Sequence, residues 1–245
     1  MENKEVSEFY DDFADHQSEL GINKRHRSIM KFLGEHGLQP EHKVLEIGAG
    51  IGTLTQLLAE YLPNGELTMN DISHRSVEIA KKTLNIFNNI TYLAGDILEH
   101  NIATGFDAVI FPDVLEHIPV KKHAEIFRRC DSLLNYDGAI YIHIPSPFYI
   151  DWLKINDPGS MQVIDQAIHL QDFLKNIVGT SFYVHFMQQY SLFVEGDDYR
   201  FLVFRKKRAM DFKVKNDPGV RFHKRMMSRF QLATKILLKG SDERS

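Results

Sequence analysis

The sequence predicts an α/β protein with a doubly wound, mostly parallel seven-stranded sheet. Short apolar runs alternate with amphipathic stretches of helical periodicity between residues 43 and 144. A glycine-rich turn follows the first of these runs, and two long β-prone runs come later in the chain. Strands that alternate with helices at this spacing form parallel βαβ units, and two adjacent β-prone runs with a polar turn form an antiparallel edge hairpin.

Five apolar runs predict the parallel strands of the sheet, and three amphipathic stretches predict the helices that connect them. The predicted strands are 43–47, 66–70, 90–93, 106–111 and 139–144, the last of them introduced by an Asp137-Gly138 turn. The predicted helices are 53–62, 73–87 and 121–134.

The remaining segments give the predicted domain organisation. Residues 1–38 have helical spacing and form an N-terminal helical lid; residues 39–205 form the core. Within the core, a helical insert at about 145–180 follows the fifth strand, and runs 181–194 and 199–205 form the edge hairpin. Residues 206–245 form a basic, helical C-terminal tail.

Composition excludes several classes of protein. The 245 residues include one cysteine, Cys130, so an internal disulfide framework is impossible and a reducing cytoplasm is the simpler expectation. No apolar run approaches the ~18 residues that a membrane span requires. The polar start of the chain is unlike a secretory signal.

Charge is distributed unevenly along the chain. Residues 205–245 carry 13 basic and 4 acidic residues, a net of +9, whereas the rest carries 16 basic and 29 acidic residues, a net of −13. Between residues 219 and 239 the tail has one apolar helical face surrounded by cations. Such a helix could bind an anionic membrane or glycolipid at the inner face of a membrane, or pack on the acidic body or on a second copy in a homodimer. The acidic body argues against nucleic acid as a partner.

The turn Gly48-Ala49-Gly50-Ile51-Gly52 lies directly between a strand and a helix, where glycines allow close approach of the backbone to a ligand. Alone it would also suit a dinucleotide enzyme or a structural turn. Asp71 and Asp96 follow the second and third strands, so they belong to the carboxyl edge of the sheet, where open α/β folds bind ligands. There they could accept hydrogen bonds from ribose hydroxyls and from an adenine amino group.

These segments together resemble class I S-adenosylmethionine-dependent methyltransferases, which have a Rossmann-like fold. The resemblance covers about residues 40–145: the stretch 44–52, then Asn70-Asp71-Ile72-Ser73, Ala94-Gly95-Asp96-Ile97, the strand from Phe106 and the turn 133–139 occur in the family's order. It implies S-adenosylmethionine as methyl donor. The residues that it assigns to the donor are Tyr10 as a lid, Glu46, Gly48, Ala49, Gly50, Asp71, Ile72, Asp96, Ile97, Phe111 and Pro112.

An acidic and histidine-rich segment follows the fourth strand. Helical spacing would put Asp113, Glu116 and His117 on one side of a turn, where they could bind Mg²⁺. The segment resembles the E-x-x-E-H metal site of polyprenyl-phenol and small-RNA O-methyltransferases, but its first position is Asp. The alternatives are that His117 or His143 acts as a general base beside Asp113, or that the segment only positions the donor.

The sequence therefore predicts a methyltransferase of small molecules. Because acids and histidines could assist deprotonation of a hydroxyl, we expect O-methylation of a sugar, a glycolipid or a secondary metabolite. N- or C-methylation and a catalytically silent donor-binding scaffold protein are the alternatives. The aromatic residues of the insert suit a sugar, an aromatic or an acyl chain, and they equally suit the ordinary core of a lid.

Overall fold

A computed structural model describes residues 21–161 and 164–207 and confirms the predicted fold class. One seven-stranded sheet has the order β3-β2-β1-β4-β5-β7-β6. The strands are β1 Lys43–Ile47, β2 Glu66–Asp71, β3 Ile90–Ala94, β4 Phe106–Pro112, β5 Leu134–Pro145, β6 Phe182–Tyr190 and β7 Tyr199–Lys206. The helices are α1 Lys24–Glu35, α2 Thr53–Tyr61, α3 His74–Thr83, α4 Val120–Leu133, α5 Pro147–Asn156 and α6 Leu170–Asn176, with 3₁₀ turns at Leu115–His117 and Pro158–Ser160.

The topology places a ligand crevice beside β1. Strands β1 to β5 are parallel, β7 runs antiparallel to β5, and β6 runs antiparallel to β7. The strand order reverses between β1 and β4, because the chain first builds outward to β3 and then crosses back. In open α/β sheets ligands bind at the carboxyl ends of the strands at such a reversal.

The two faces of the sheet are covered by different helices. Alternate residues of a strand point to opposite faces, and on β1 Val44 and Leu45 belong to separate buried clusters. Phe127 of α4 and Phe173 of α6 pack in the cluster with Leu45, whereas α1 and α2 pack in the cluster with Val44. The helices thereby hold the strand ends of the crevice from both sides.

The start of β5 differs from the prediction. Phe106 pairs with Leu134 while Ala108 pairs with Ala139, so residues 135–138 bulge out of a continuous strand. The predicted turn at Asp137-Gly138 is therefore a bulge within β5, because Leu134 already pairs with β4 before the glycine.

The insert and the hairpin lie where the sequence predicts them. Helices α5 and α6 follow β5, and β6 and β7 form the antiparallel edge. Most of the predicted lid and tail, residues 1–20 and 208–245, lies outside the described residues, so the domain division stays a prediction. In the described parts of the chain no helix has both the length and the apolar character to cross a membrane.

Candidate functional site

The glycine-rich turn joins β1 to α2 in a conformation that needs glycine. Gly48, Gly50 and Gly52 all have positive φ, at 73°, 55° and 87°. A Cβ on Gly48 would lie 2.3 Å from Cγ2 of Val114, which follows β4. The turn and the segment after β4 are therefore packed directly against each other.

Two side chains at the end of β2 form hydrogen bonds with this turn and with the end of β3. The Asp71 Oδ2 atom accepts a 2.7 Å hydrogen bond from the Gly50 N–H, and Oδ1 accepts one from Ser73 N–H at 2.9 Å. Asn70 donates from Nδ2 to the carbonyls of Leu93 and Gly95 at the end of β3. Three adjacent strand ends are thus joined by short polar contacts.

A cavity of about 730 Å³ opens at these strand ends. It brings together most of the predicted donor residues, namely Glu46, Gly48, Ala49, Gly50, Asp71, Ile72, Asp96, Ile97 and Pro112. Asp113, Glu116 and His117 line the same cavity. Tyr10 lies outside the described residues.

Phe111 is an exception among the predicted donor residues. Its side chain is fully buried in the core cluster with Leu45, Val109 and Phe127, and it does not line the cavity. The reason is strand alternation, since Phe111 shares the face of β4 that Val109 presents to α4. Pro112, at the strand end, reaches the cavity instead.

Glu46 is a buried acid inside β1. Its Oε2 accepts a 2.7 Å hydrogen bond from Thr55 Oγ1, while Oε1 has no hydrogen-bond partner among the described residues. Burial raises the Glu46 pKa to about 8, against the opposing hydrogen bond from Thr55. A ligand with a hydrogen-bond donor or a cation at this point would satisfy the unpaired oxygen.

Asp113 adopts a left-handed backbone conformation, with φ of 57°, directly after β4. The predicted helical turn over residues 113–117 is therefore wrong at its first residue, and only Leu115–His117 forms a 3₁₀ turn. In this conformation Asp113 Oδ2 lies 3.1 Å from Nη1 of Arg25, and Oδ1 accepts a 2.6 Å hydrogen bond from His143 Nδ1–H. Although burial raises the Asp113 pKa, the nearby His143 and Arg25 lower it below its ordinary value.

His143, which the sequence suggests as a base, does not line the cavity. It is 1% exposed, its Nδ1 bonds Asp113, and its Nε2 lies 2.6 Å from the Tyr190 hydroxyl. Both ring nitrogens of His143 are thus engaged inside the protein, and its role as a base stays a prediction.

His117 lies on the cavity but holds its proton. Its Nδ1–H donates to the Ile164 carbonyl at 2.7 Å and to Asp165 Oδ1 at 3.0 Å. Burial lowers the His117 pKa, but Glu116 and the Asp165 hydrogen bond outweigh it and raise the pKa to about 9. A cationic imidazole at neutral pH is a poor general base and a good hydrogen-bond donor.

The proposed metal site is not supported by these contacts. In residues 21–161 and 164–207 no group of three His, Cys, Asp or Glu side chains is arranged to hold a metal ion. The physical reason is that Asp113 faces Arg25 and His143, while His117 faces Asp165, so the three predicted ligands do not converge. Binding of Mg²⁺ by this segment therefore has no support among the described residues.

Comparison with known proteins agrees with this geometry. Residues 44–138 match a family model described as a methyltransferase domain. Residues 44–138 form a methyltransferase domain. The match begins in β1 and ends in the bulge of β5, so it contains the glycine-rich turn and the strand ends that line the cavity.

Individual relatives of this methyltransferase domain differ in their acceptors. The malonyl-acyl-carrier-protein O-methyltransferase 1 of Ilyobacter polytropus is 29% identical over 105 residues, which are 43% of this chain and 38% of that protein. The ribosomal RNA small subunit methyltransferase A of Streptococcus pneumoniae is 34% identical over 98 residues, 40% of this chain and 32% of the relative. The chain spans less than half the length of these curated relatives.

Among solved structures, the magnesium protoporphyrin IX methyltransferase of Synechocystis PCC 6803 with bound SAH matches with a TM-score of 0.65. It is 18% identical and the match covers 84% of this chain and 99% of that one. At this identity the likeness shows the fold alone, and it covers a larger share of the chain than the family match does.

The cavity also contains residues that the sequence analysis did not single out. Their side chains come from α1, the insert and β7, far apart in the chain, and they are Arg25, His26, Leu153, Asp165 and Tyr199. Only the helical spacing of α1 and the aromatic content of the insert hinted at them. Their convergence depends on tertiary structure, which periodicity does not report.

Proposed function

We propose that this chain transfers the methyl group of S-adenosylmethionine to a small-molecule acceptor, with oxygen as the accepting atom. The single observation that carries the proposal is the shared cavity. The glycine turn, Asp71 and Asp96 line it at one end, and Glu116 and His117 line it beside the residues of α5 and the insert. Alignment of donor and acceptor in one enclosure supplies much of the catalysis of an SN2 methyl transfer.

Two details of the cavity suit S-adenosylmethionine. Glu46 Oε1 is a buried oxygen without a partner among the described residues, as a donor's ammonium group would require. Gly48 lets the turn pack closely against Val114 beside the cavity, because a Cβ at this position would lie 2.3 Å from Val114 Cγ2. Asp71 would hold the ribose hydroxyls, and Asp96 with Ile97 would flank the adenine.

The acceptor end combines apolar and polar walls. Tyr149, Ile150 and Leu153 present one side of α5 to the cavity, and Arg25 and His26 face it from α1. Burial and the Arg25 charge lower the His26 pKa to about 4, so that imidazole is neutral. Its Nδ1 accepts from the Asn23 N–H, which leaves Nε2–H as a donor for an acceptor oxygen.

Calorimetry of donor and product binding tests the proposal. We expect the full chain to bind S-adenosylmethionine and S-adenosylhomocysteine, and Asp71→Asn to bind the latter at least about tenfold more weakly, because a charged hydrogen-bond acceptor is worth about 1.5–3 kcal/mol. Glu78→Gln, an exposed acid of α3 outside the cavity, is the matched control. Absence of binding to the unaltered chain would refute the proposed function.

Acceptor transfer is measured by S-adenosylhomocysteine release with panels of hydroxyl, amine and carboxylate compounds. Release with hydroxyl compounds supports oxygen as the accepting atom, and release with amines alone moves the proposal to N-methylation. The predicted binding of the basic tail to an anionic membrane or glycolipid stays a separate proposal. Co-sedimentation with anionic liposomes, with and without residues 209–245, tests it, and equal recovery in the supernatant would contradict it.

A further inference from the structure

We propose that Glu116 is the catalytic base, which takes the proton of the acceptor nucleophile, so the acceptor is an alcohol, a phenol or an amine. The inference rests on the proposed methyl transfer and names the substrate class for it. Neither the sequence pattern nor the family resemblance assigns Glu116 this role.

The Glu116 carboxyl is buried at the cavity with one oxygen unpaired. The residue is 1% exposed, yet it lines the cavity. Its Oε1 lies 3.9 Å from His117 Nε2, and its Oε2 has no hydrogen-bond partner among the described residues. Buried carboxyl oxygens are nearly always paired, so the unpaired Oε2 is suited to a ligand's O–H or N–H.

The backbone around Glu116 is held on both sides. Gln166 of the insert donates from its backbone N–H and from Nε2 to the Glu116 carbonyl, at 3.1 and 3.2 Å. The buried His123 ring donates from Nε2–H to the carbonyls of Leu115 and Ile118. Val114, two residues before Glu116, contacts Gly48 of the donor turn. The carboxyl is therefore fixed at the boundary between the donor and acceptor ends of the cavity.

The other titratable groups near the cavity leave the base role to Glu116. Asp113 is paired with Arg25 and His143, and His117 is a cation that faces Asp165. The charged and titratable groups that face Glu116 are His117, Asp113, Asp165, Arg25, Tyr199 and Arg200. Burial outweighs the attraction of His117 and raises the Glu116 pKa to about 8.

This environment links donor binding to the proton on Glu116. Burial favours the protonated form of the Glu116 carboxyl, and the attraction of His117 opposes burial only in part. The sulfonium of S-adenosylmethionine brings a positive charge into the cavity, which favours the carboxylate. Donor binding thus prepares the base, whereas S-adenosylhomocysteine, which has no charge on sulfur, does not.

The proposed transfer is a displacement at the methyl carbon, with proton transfer to Glu116. A lone pair of the acceptor oxygen or nitrogen forms the bond to the methyl carbon, and the carbon–sulfur bond breaks with its electron pair moving to sulfur. The proton of the O–H or N–H group goes to Oε2 of Glu116. The products are the methylated acceptor, neutral S-adenosylhomocysteine and a protonated Glu116.

Proton-linked calorimetry tests the inference without a known acceptor. Titrations of the full chain at pH 7.5 in phosphate and in Tris, which differ in ionisation enthalpy, measure the protons released with each ligand. We expect S-adenosylmethionine to release a substantial fraction of one proton more than S-adenosylhomocysteine does. In Glu116→Gln this difference should vanish, and in Glu125→Gln, an exposed acid of α4, it should persist.

The outcomes separate this inference from the proposed function. If neither ligand binds the unaltered chain, methyl transfer itself fails. If both bind and release equal numbers of protons, or if Glu116→Gln retains the difference, Glu116 is not the base. Equal proton release with the two ligands is measured on the unaltered chain, so this part of the test does not depend on folding of the variant. Turnover restricted to carboxylate compounds in the acceptor panel would also overturn the inference, because a carboxylate has no proton to give.

Discussion

Asp113→Asn tests the buried network that holds the segment after β4. Asn has nearly the same volume as Asp and tolerates the left-handed conformation that residue 113 adopts at φ of 57°. The substitution therefore removes the negative charge while it keeps the backbone preference. It breaks the charge interactions of Asp113 with Arg25 Nη1 at 3.1 Å and with His143 Nδ1 at 2.6 Å.

The expected loss in the free energy of unfolding follows from the burial of the Asp113–Arg25 ion pair. Removal of one partner from a buried ion pair costs about 3–5 kcal/mol. The Arg25 side chain is 34% exposed and Asp113 is 9% exposed, so water solvates the remaining cation in part and the lower end of that range applies. We expect a loss of about 3 kcal/mol in the free energy of unfolding, which lowers Tm by about 6–12 °C for a domain of this size.

Urea and thermal unfolding measure this loss, with an unchanged m-value as the check that both proteins unfold alike. Asp151→Asn on α5 is the control, because Asp151 pairs with Lys154 at 3.0 Å on the surface and such pairs contribute less than about 1 kcal/mol. A loss in Asp113→Asn no greater than in the control would refute the network as a source of stability. An Arg25→Met double-mutant cycle should show a smaller loss for the pair than the sum of the single losses.

The same variant gives a prediction for pH dependence. The Asp113 pKa lies below its ordinary value in the folded protein, so its stabilisation is present above the unfolded pKa of about 3.9 and is lost as pH falls through the folded pKa. Asp113→Asn should therefore lose less stability than the unaltered chain when the pH is lowered into that acidic range. Parallel losses in the two proteins would contradict this assignment.

Three further predictions concern the cavity. Gly48→Ala should abolish measurable S-adenosylhomocysteine binding in calorimetry, because its Cβ would lie 2.3 Å from Val114 at a φ of 73°; Gly159→Ala, with nothing within 4 Å, should bind normally. Glu46→Gln should stabilise the ligand-free protein by several kcal/mol at pH 8. The Glu46 pKa is about 8 in the folded protein and 4.5 in the unfolded chain, so the free energy of unfolding falls as pH rises between these values. If the free energy of unfolding, measured in urea, depends on pH equally in Glu46→Gln and in the unaltered chain, the prediction is wrong. Asp165→Asn should lower the His117 pKa from about 9, as followed by the ring-proton chemical shifts in NMR, and an unchanged midpoint would exclude Asp165 as the partner that holds the proton.

The donor end of the cavity was predictable because its residues follow strands. Gly48, Asp71 and Asp96 each come directly after an apolar run, and parallel strands bring their carboxyl ends to one edge. The positions of these residues directly after predicted parallel strands were therefore enough to predict that they lie together at one edge of the sheet. The predicted donor contact of Phe111 stays a prediction, and its side chain lies in the core with Val109 because Phe111 precedes the strand end by one residue.

The acceptor end was not predictable in the same way. Arg25 reaches Asp113 from α1, and Asp165 reaches His117 from the insert, so each contact joins distant parts of the chain. The helical spacing of Asp113, Glu116 and His117 suggested a common face, but the positive φ of Asp113 turns its carboxylate away to Arg25. A residue with positive φ interrupts the helical geometry on which such spacing arguments depend.

The contacts of the insert also change how acceptor specificity should be understood in this domain. Gln166 binds the carbonyls of Glu116 and Ile118, and Asp165 holds the proton of His117. Under the proposed function, the segment that lines the acceptor end therefore also sets the charge on His117 and the position of Glu116. An exchange of the insert should alter proton transfer together with substrate choice, since the charge on His117 acts on Glu116 across 3.9 Å. The proposed function thus couples acceptor choice to proton transfer through Asp165 and Gln166, two adjacent residues of the insert.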